Sequence, residues 1–414
     1  MTLNDICEFI VDCPHTTAPN EGAGYPLIRT PNIGKGRLIL EDVHRVSEKV
    51  YRSRIQRGAP QNEDLILARE APAGNVAIIK NNEKVCLGQR TVLLRPDKSK
   101  VCPDYLVYYL LAPEQQYKLL GTANGATVAH VNIPIIRSMP VELPPLETQA
   151  KIAGCLSSYD DLIENNQKQI KLLEEAAQRL YKEWFVDLRF PGYETTPLVD
   201  GLPEGWYRPI INELITYEIG GGWGDESPSH KAENGAFVVR GTDLYGLTHG
   251  NLMEIPFRYH GTQNLKAREL SAGDIIFEVS GGSRIEGVAR TVLVQKAMLD
   301  RWAHPVMCAS FCKLIRPVSA EYSQLLFDHF QYLRLCGKTE EYDKRSASSI
   351  VNYRWKDFLS YETMFLPHKS LLLLYNETAG TIYNQIVEKS LQIETARHAR
   401  DRLLPKLMGG EIEV

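Results

Sequence analysis

The sequence predicts a mixed α/β chain in which two globular modules are separated by a long antiparallel two-helix coiled coil. Three observations lead to this fold class. The chain repeats itself once along nearly its whole length, each copy begins with a stretch rich in Gly, Pro and β-branched residues, and each copy ends in a long heptad pattern. A length of 414 residues with 43% hydrophobic and 24% charged side chains provides for two cores of ordinary globular composition.

The repeat rests on five short segments that recur in the same order. They are residues 26–33 and 237–244, 64–66 and 274–276, 92–96 and 313–317, 131–132 and 351–352, and 143–144 and 366–367. The offset between copies grows from about 210 to about 223 residues, so the copies differ by small insertions. Five ordered matches with a smoothly drifting offset indicate two copies of one unit, and hence an internal pseudo-two-fold repeat.

Each copy begins with a predicted α/β module. In the first copy, residues 74–79 and 90–94 alternate in the manner of strands, and Pro103-Asp104 introduces a predicted helix over 105–111. We therefore assign one globular domain to residues 1–143 and its repeat to residues 202–366. Residues 144–190 form a central helical spacer, 191–201 a linker, and 367–414 a C-terminal helical spacer.

The spacers carry a coiled-coil seam. Residues 147–185 contain no proline and a single interior glycine, and side chains alternately four and three apart form a stripe with charged flanks. The middle of the stripe is Ile163, Asn166 and Ile170 in the first copy, and Ile386, Lys389 and Ile393 in the second. A single amphipathic helix lying on a globular core is the alternative interpretation. Because helix 1 leads from module 1 to module 2, a second helix packed along it must run antiparallel. Roughly 38 residues would give a spacer of about 57 Å.

Polar residues interrupt this seam at equivalent positions. In a centred antiparallel pair, Asn166 and Lys389 would lie within about one layer of each other. We hypothesise that Asn166 accepts a hydrogen bond from Lys389, whose stem packs inside the seam. The alternative is that either side chain simply points to solvent.

Composition and motifs exclude several classes of protein. No apolar run approaches the ~20 residues of a membrane span, and the N-terminus lacks a targeting signal, so we expect a cytoplasmic chain without membrane contact. Eight scattered cysteines form no CxxC, and His304, Cys308 and Cys312 lie in a strand-like segment, which favours buried thiols over a metal site. Nucleotide-binding, methyltransferase, nuclease and serine-hydrolase motifs are absent from the sequence. We predict no catalytic and no metal-binding residues.

Polar residues in turn-like segments are the candidates for DNA contact. The net charge is −4, with +2 in residues 1–143 and −2 in residues 202–366, so a DNA-binding patch must come from the placement of charges. Arg suits guanine, Asn and Gln suit adenine, and hydroxyls suit phosphates. The candidates are Arg29, Asn32, Arg69, Glu70, Gln89, Arg90, Thr127, His130 and Asn132 in module 1, and Arg240, Asp243, Ser280, Arg284, Ser310, Arg345, Ser348 and Asn352 in module 2. Ordinary polar turn residues are the alternative for each of them.

Several motifs resemble one known family. Residues 143–152 (LPPLETQAKI) are similar to the start of a conserved region in specificity (S) subunits of Type I restriction-modification systems. Residues 88–90 with 94–96, 180–185, 202–206 and 403–412 resemble the same family, so the similarity spans nearly the whole chain.

This resemblance implies a function in DNA recognition. Each module would be a target-recognition domain that reads one half of a bipartite site on double-stranded DNA. The helices would set the spacing and bind two methyltransferase (M) subunits, with restriction (R) subunits joining them. S-adenosylmethionine, ATP and Mg²⁺ would belong to these partners, leaving no cofactor on this chain. A DNA-recognition subunit of a related methyltransferase or anti-phage system without a nuclease, a coiled-coil scaffold that does not bind DNA, and a stand-alone enzyme are the alternatives.

Overall fold

The computed structural model describes residues 1–121, 130–250, 252, 254–281, 288–345 and 350–414. The chain forms two compact units. Unit 1 consists of residues 1–163 and 396–414, and unit 2 consists of residues 164–395.

The described part of unit 1 begins with eight strands and four short helices. Its elements are β1 (Cys7–Asp12), β2 (Tyr25–Ile28), β3 (Gly36–Arg37), β4 (Arg45–Val46), α1 (Glu48–Arg54), β5 (Leu65–Ala68), β6 (Val76–Ile78), β7 (Cys86–Leu87), β8 (Thr91–Pro96), α2 (Pro103–Leu111), α3 (Pro113–Leu120), α4 (Ile133–Ser138) and the first part of α5 (Leu146–Phe185), with 3-10 turns at Leu3–Ile6 and Thr30–Asn32. One sheet has the order β1-β8-β5-β6-β3, and a second has the order β4-β2-β7.

Unit 1 packs apolar side chains on both faces of its larger sheet. Leu65 and Leu67 of β5 enter a core shared with α2, and Ile66 and Ala68 enter a core on the opposite face. This alternation follows from the period of two in a strand. Ile152 of α5 belongs to the α2 core. The first turns of α5 are therefore part of unit 1. The predicted boundaries instead separate residues 1–143 from the spacer 144–190, and these boundaries remain a prediction.

Unit 2 contains the remaining strands and helices. Its elements are the rest of α5, β9 (Leu198–Val199), β10 (Leu202–Pro203), β11 (Ile215–Gly220), β12 (Asn234–Val239), α6 (Leu244–His249), β13 (Phe257–His260), α7 (Thr262–Arg268), β14 (Ile275–Glu278), β15 (Ser280–Gly281), β16 (Thr291–Leu293), α8 (Lys296–Leu299), β17 (Val306–Cys308), β18 (Cys312–Pro317), α9 (Ser323–Leu335), β19 (Asp343–Arg345), β20 (Val351–Tyr353), α10 (Trp355–Tyr361) and most of α11 (Lys369–Met408), with 3-10 turns at Tyr193–Thr195, Ile211–Leu214, Gly241–Asp243, Ala320–Tyr322 and Lys338–Tyr342. The sheets have the orders β11-β18-β14-β16, β13-β12-β17, β15-β20-β19 and β10-β9.

The two units repeat one topology. The order β1-β8-β5-β6 in unit 1 corresponds to β11-β18-β14-β16 in unit 2. In the smaller sheets, β2 pairs parallel with β7 and antiparallel with β4, as β12 pairs with β17 and β13. The strand pairing even has a bulge at the same place, between the first and third residues of β1 and of β11. The mixed α/β fold class and the internal repeat are confirmed.

A pair of forked ion pairs repeats as well. Arg95 of β8 donates from Nε and Nη2 to the two carboxylate oxygens of Asp64, at 2.9 and 2.8 Å. Arg316 of β18 holds Asp274 in the same way, at 2.7 Å for both bonds. Each carboxylate is almost fully buried at the start of the central strand, so the fork ties neighbouring strands together.

The two long helices lie close to their predicted positions. Helix α5 begins at Leu146 and α11 ends at Met408, each after 40 residues. In unit 1, Leu156 near the start of α5 shares a core with Leu407 near the end of α11. In unit 2, the rings of Trp184 near the end of α5 and Tyr375 near the start of α11 are 5.6 Å apart. Within each unit, therefore, the start of one helix lies beside the end of the other.

The seam residues are mostly buried. Ile163, Asn166, Ile170, Ile386 and Ile393 are buried, and Lys389 is half-buried. The hypothesised bond from Lys389 to Asn166 is not formed between these two described residues; the hydrogen bond of Asn166 runs from its Nδ2 to Gln392 Oε1 at 3.1 Å. Asn166 is only 1% exposed, and the amide oxygen of Gln392 gives its buried N–H donor a partner.

Candidate nucleic-acid interface

Three segments meet at one edge of unit 1. They are the residues after β5, the turn before β8, and the segment before α4. The Arg69 N–H donates to the Arg90 carbonyl at 2.8 Å, and the Val131 N–H donates to the Arg69 carbonyl at 3.1 Å. These backbone bonds bring together Arg69, Glu70, Arg90 and His130, which the sequence analysis named as separate candidates. We call these four residues the cluster of unit 1.

The turn before β8 is tightly held. The Gly88 N–H donates to the Ile28 carbonyl at 2.7 Å, so this backbone runs close against β2. Arg90 has a φ of 65°, a left-handed conformation that is costly for a residue with a side chain. The bond from the Arg69 N–H to the Arg90 carbonyl and a bond from Thr91 Oγ1 to the Gly88 carbonyl at 3.0 Å fix it. Backbone strain of this kind concentrates at binding and catalytic sites.

Arg69 is the hub of a charged network. Its Nη1 donates to both oxygens of Asp12 at 3.1 Å, and its Nη2 lies 2.8 Å from His130 Nε2. Because a guanidinium can only donate, His130 Nε2 accepts and the ring proton sits on Nδ1. That Nδ1–H donates to Glu70 Oε1 at 2.5 Å, and Glu70 Oε2 holds Arg90 Nε at 2.9 Å. The network thus runs from the half-buried Asp12 to the exposed Arg90.

Exposure separates the two arginines. The Arg69 side chain is 11% exposed, whereas that of Arg90 is 59% exposed. Arg69 therefore positions its neighbours, and Arg90 presents guanidinium donors to the solvent. Beside them, Gln89 Nε2 donates to the His15 carbonyl at 2.9 Å, and His15 Nε2 is 3.2 Å from Asp12.

Unit 2 brings the same three segments together with the same backbone bonds. The Val279 N–H donates to the Phe311 carbonyl at 2.9 Å, and the Tyr353 N–H donates to the Val279 carbonyl at 2.8 Å. Val279 therefore corresponds to Arg69, Phe311 to Arg90, and Tyr353 to Val131. The predicted match of residues 131–132 with 351–352 is wrong by two residues, because backbone hydrogen bonds rather than the letters Val-Asn set the register.

In this corrected register, the side chains also correspond. Ser280 occupies the position equivalent to Glu70, and Asn352 occupies the position equivalent to His130. Ser280 Oγ donates to Asn352 Oδ1 at 2.8 Å, just as His130 meets Glu70 in unit 1. Gly220, the last residue of β11, takes the place of Asp12, the last residue of β1. The strands and the backbone hydrogen bonds at this site form the same frame in both units. This frame carries charged side chains in unit 1 and uncharged ones in unit 2.

Four of the candidates serve the local structure of turns. The Asn32 Oδ1 accepts the Arg29 N–H at 3.1 Å, and the Asp243 Oδ2 accepts the Arg240 N–H at 2.8 Å. Asp243 also forms an ion pair with the Arg240 guanidinium at 2.8 Å. These equivalent 3-10 turns stand at the ends of β2 and β12 and are not part of the clusters. Asn132 is half-buried at the start of α4 and makes no capping bond there.

The remaining candidates divide between the surface and residues that the structure does not describe. Ser310 is exposed next to Phe311. Thr127, Arg284 and Ser348 lie outside the described residues. Arg345 belongs to β19, but its side chain also lies outside the described part.

Sequence reasoning missed Asp12, His15 and Phe311. Asp12 ends β1 and His15 follows it, neither belongs to a motif, and only the fold brings them to the cluster. Phe311 had a signal in the repeat: the strand matches at 92–96 and 313–317 place it opposite Arg90. An exposed aromatic residue in that position, with 53% of its surface accessible, is a candidate contact residue.

Metal and membrane sites have no support in the described ranges. Within them, no group of three or more His, Cys, Asp or Glu side chains could hold a metal ion. Cys308 and Cys312 are buried, and burial raises the pKa of the Cys308 thiol to about 12. None of the helices described above has the length and apolar character needed to cross a membrane.

Comparison with known proteins gives a consistent result. Residues 1–175 match the family described as Type I restriction modification DNA specificity domain. The chain is 25% identical over 389 residues to the Type I restriction enzyme MjaIX specificity subunit of Methanocaldococcus jannaschii, covering 89% of this chain and 82% of that protein. It is 27% identical over 263 residues to the putative MjaX specificity subunit of the same organism, covering 60% of each.

A solved structure shares the fold. The S subunit of a Type I restriction-modification system from M. genitalium aligns with a TM-score of 0.58 at 11% identity, covering 98% of this chain and 95% of that one. The full-length likeness in fold agrees with the two-unit repeat. The family match over residues 1–175 and the sequence relatives together support a specificity subunit of a Type I restriction-modification system.

Proposed function

We propose that each unit reads one half of a bipartite DNA site through the cluster at the edge of its larger sheet. Residues around Arg69, Arg90 and His130 would read the first half, and those around Val279, Phe311 and Asn352 would read the second. One observation carries this proposal: the two clusters share a backbone frame but differ in the chemistry of their side chains.

The contrast between frame and cluster supports this assignment. The strand order, the bulge and the Asp–Arg forks are the same in both units. At the cluster, by contrast, Asp, Arg, Glu and His give way to Gly, Val, Ser and Asn. A structural role would favour the same residues in both copies, whereas two different half-sites require different donors and acceptors at the same place.

The partners follow from the family. Two M subunits would dock on the long helices, R subunits would join them, and S-adenosylmethionine, ATP and Mg²⁺ would bind to those partners. This chain would carry no catalytic residue, and it would select the site at which the complex methylates or cleaves double-stranded DNA.

A module exchange tests the proposal. Residues 1–143 would be replaced by the matching module of another specificity subunit, and the modified bases of a host expressing the hybrid with its M subunit would be mapped. We expect one half of the site to change and the other to stay as in the parent. A change in both halves would contradict independent reading by the two units.

A second measurement examines catalysis. The purified chain without partners should show no methyl transfer, DNA cleavage or ATP hydrolysis. Activity in such a preparation that a point substitution in this chain abolishes would contradict a purely recognising role.

A further inference from the structure

Arg90 and Phe311 occupy the same position in the two units. Each carbonyl accepts the N–H of the residue that follows the central strand, Arg69 or Val279, at 2.8 and 2.9 Å. Each side chain is more than half exposed, at 59% for the Arg90 side chain and 53% for Phe311. The two units thus present a guanidinium and an apolar ring from one point of the frame.

We propose that Arg90 reads a guanine in the half-site of unit 1 and that Phe311 contacts the methyl group of a thymine in the half-site of unit 2. This inference rests on the proposed function and assigns the class of base pair at one position of each half-site. It places a G·C pair opposite Arg90 and an A·T pair opposite Phe311.

The surroundings of Arg90 fit a base contact. An arginine that binds a phosphate through charge alone needs no fixed orientation, whereas guanine O6 and N7 require donors in one plane. Glu70 Oε2 holds Arg90 Nε at 2.9 Å, and His130 fixes Glu70 from the other side at 2.5 Å. These contacts orient the guanidinium before DNA binds, which lowers the entropy cost of a directional contact.

The side chain of Phe311 favours an apolar contact with a base over a hydrogen bond. A phenyl ring offers no hydrogen-bond donor or acceptor, and the thymine methyl is the apolar group on the major-groove edge of a base pair. The Phe311 carbonyl accepts the N–H groups of Val279 at 2.9 Å and Ser280 at 3.2 Å, so its backbone is fixed. Ser280 and Asn352, joined at 2.8 Å, flank it with polar atoms that suit the rest of the base edge.

Base analogues test both contacts separately. The complex of this chain with its M subunit would be titrated with duplexes that contain its mapped site. Replacing the assigned guanine by 7-deazaguanine removes N7, and we expect about tenfold weaker binding by the wild type. Replacing the assigned thymine by deoxyuridine removes only the methyl group, and we expect about fourfold weaker binding.

Variants supply the matched controls. Arg90→Lys keeps the charge but loses the planar fork, so the difference between guanine and 7-deazaguanine duplexes should shrink, and Arg90→Met, which has no donor, should bind both alike. Phe311→Ala should bind thymine and deoxyuridine duplexes alike, whereas Phe311→Leu should retain part of the difference. Mapping of modified bases should show relaxed preference of about tenfold at one position of one half-site for Arg90→Lys.

The outcomes separate this inference from the proposed function. A bipartite site whose base preferences persist in Arg90→Lys and Phe311→Ala would overturn the inference and leave the proposed function standing. A loss of M-subunit binding in Phe311→Ala with unchanged DNA preference would also overturn it, since the ring would then be a protein contact. Modification without any bipartite site would overturn both.

Discussion

Asp160 and Arg400 form a buried ion pair in unit 1, where the early part of α5 lies against the last turns of α11. Arg400 Nη1 donates to Asp160 Oδ1, and the Tyr108 hydroxyl donates to Asp160 Oδ2 at 2.6 Å. Asp160 is 3% exposed, and burial of the Tyr108 ring, together with the neighbouring carboxylate, raises the pKa of its hydroxyl. Two helices and α2 therefore meet at one carboxylate that forms its ion pair with Arg400 and also interacts with the Arg37 charge.

Removal of Arg400 should destabilise unit 1 strongly. Arg400→Leu leaves the buried Asp160 carboxylate without its ion-pair partner, which costs about 3–5 kcal/mol of unfolding free energy. Replacing both residues by leucine should recover part of this loss, because the unpaired carboxylate is then removed as well. Thermal unfolding of the single and double variants would measure it, with Glu48→Ala in an exposed pair as the control that changes little. A single variant as stable as the wild type would show that solvent reaches Asp160.

The seam shows how much the sequence could predict. The heptad spacing placed Ile163, Ile170, Ile386 and Ile393 at positions that are buried in the structure, and the helix starts within one residue of the prediction. Long periodic segments are predictable because every turn repeats the same signal. The partner of Asn166 was not predictable, since the choice between Lys389 and Gln392 depends on less than one helical turn of stagger.

The interface cluster shows the opposite limit. Arg69, Glu70, Arg90 and His130 were each suggested by polar residues in turns, but nothing in the sequence joined them. Their contacts link residues up to 61 apart along the chain, as in the Arg69–His130 bond. A two-letter match such as Val-Asn cannot define a register, which backbone hydrogen bonds decide once the strands pair.

The Asn166–Gln392 bond should be replaceable by apolar packing. The double change Asn166→Leu with Gln392→Leu removes a buried amide and its partner together, and it should raise the unfolding free energy by about 1 kcal/mol. A double-mutant cycle by thermal unfolding should give a coupling of about 1 kcal/mol for this pair. The matched cycle of Asn166 with Lys389 should give almost none. A larger coupling to Lys389 would contradict the contact at 3.1 Å.

Asp328 and His329 should give opposite pH dependences of stability in unit 2. Burial raises the pKa of Asp328 to about 7, against hydrogen bonds from Gln324 and Tyr375 that lower it. Between about pH 4 and 7, folded Asp328 keeps a proton that the unfolded chain has lost, so stability falls as the pH rises through this window. Burial lowers the pKa of His329 to about 3, and the Lys338 charge adds to this. Between about pH 3 and 6.5 the unfolded histidine alone is charged, so stability falls as the pH decreases.

Single substitutions should reveal each dependence. In the wild type, the Tyr375 hydroxyl donates to Asp328 at 2.7 Å. Asp328→Asn keeps an oxygen that can accept this bond but cannot titrate, so of Asp328 and His329 only the histidine still changes stability with pH. Relative to the wild type, the free energy of unfolding of Asp328→Asn should increase from pH 4 to 6.5. The pKa shift of Asp328 sets the size of this increase at a few kcal/mol. The free energy of unfolding of His329→Asn should decrease over the same pH range relative to the wild type. Urea unfolding at half-unit pH steps would measure both, and profiles parallel to the wild type would refute the assignment.

Arg69 should act as a positioning residue for the half-site that unit 1 reads. It joins Asp12, His130 and the Val131 carbonyl from three different nitrogens, and the ammonium of a lysine is a single point that cannot reach all three. In Arg69→Lys, His130 loses the donor that fixes its ring proton, so Glu70 no longer orients Arg90. We expect about tenfold weaker discrimination at one half-site and unchanged preference at the other.

Arg95→Lys is the matched control for this prediction. It breaks a similar fork in the same unit, the one to Asp64 at 2.8 and 2.9 Å, but within the frame and away from the cluster. Both variants should lose about 1–3 kcal/mol of stability, because each leaves a mostly buried carboxylate short of donors. Only Arg69→Lys should alter the mapped site, since Arg95 reaches no residue of the cluster in the contacts described. Equal loss of site preference in both variants would mean that general loosening of unit 1, rather than the path from Arg69 through His130 to Arg90, controls recognition.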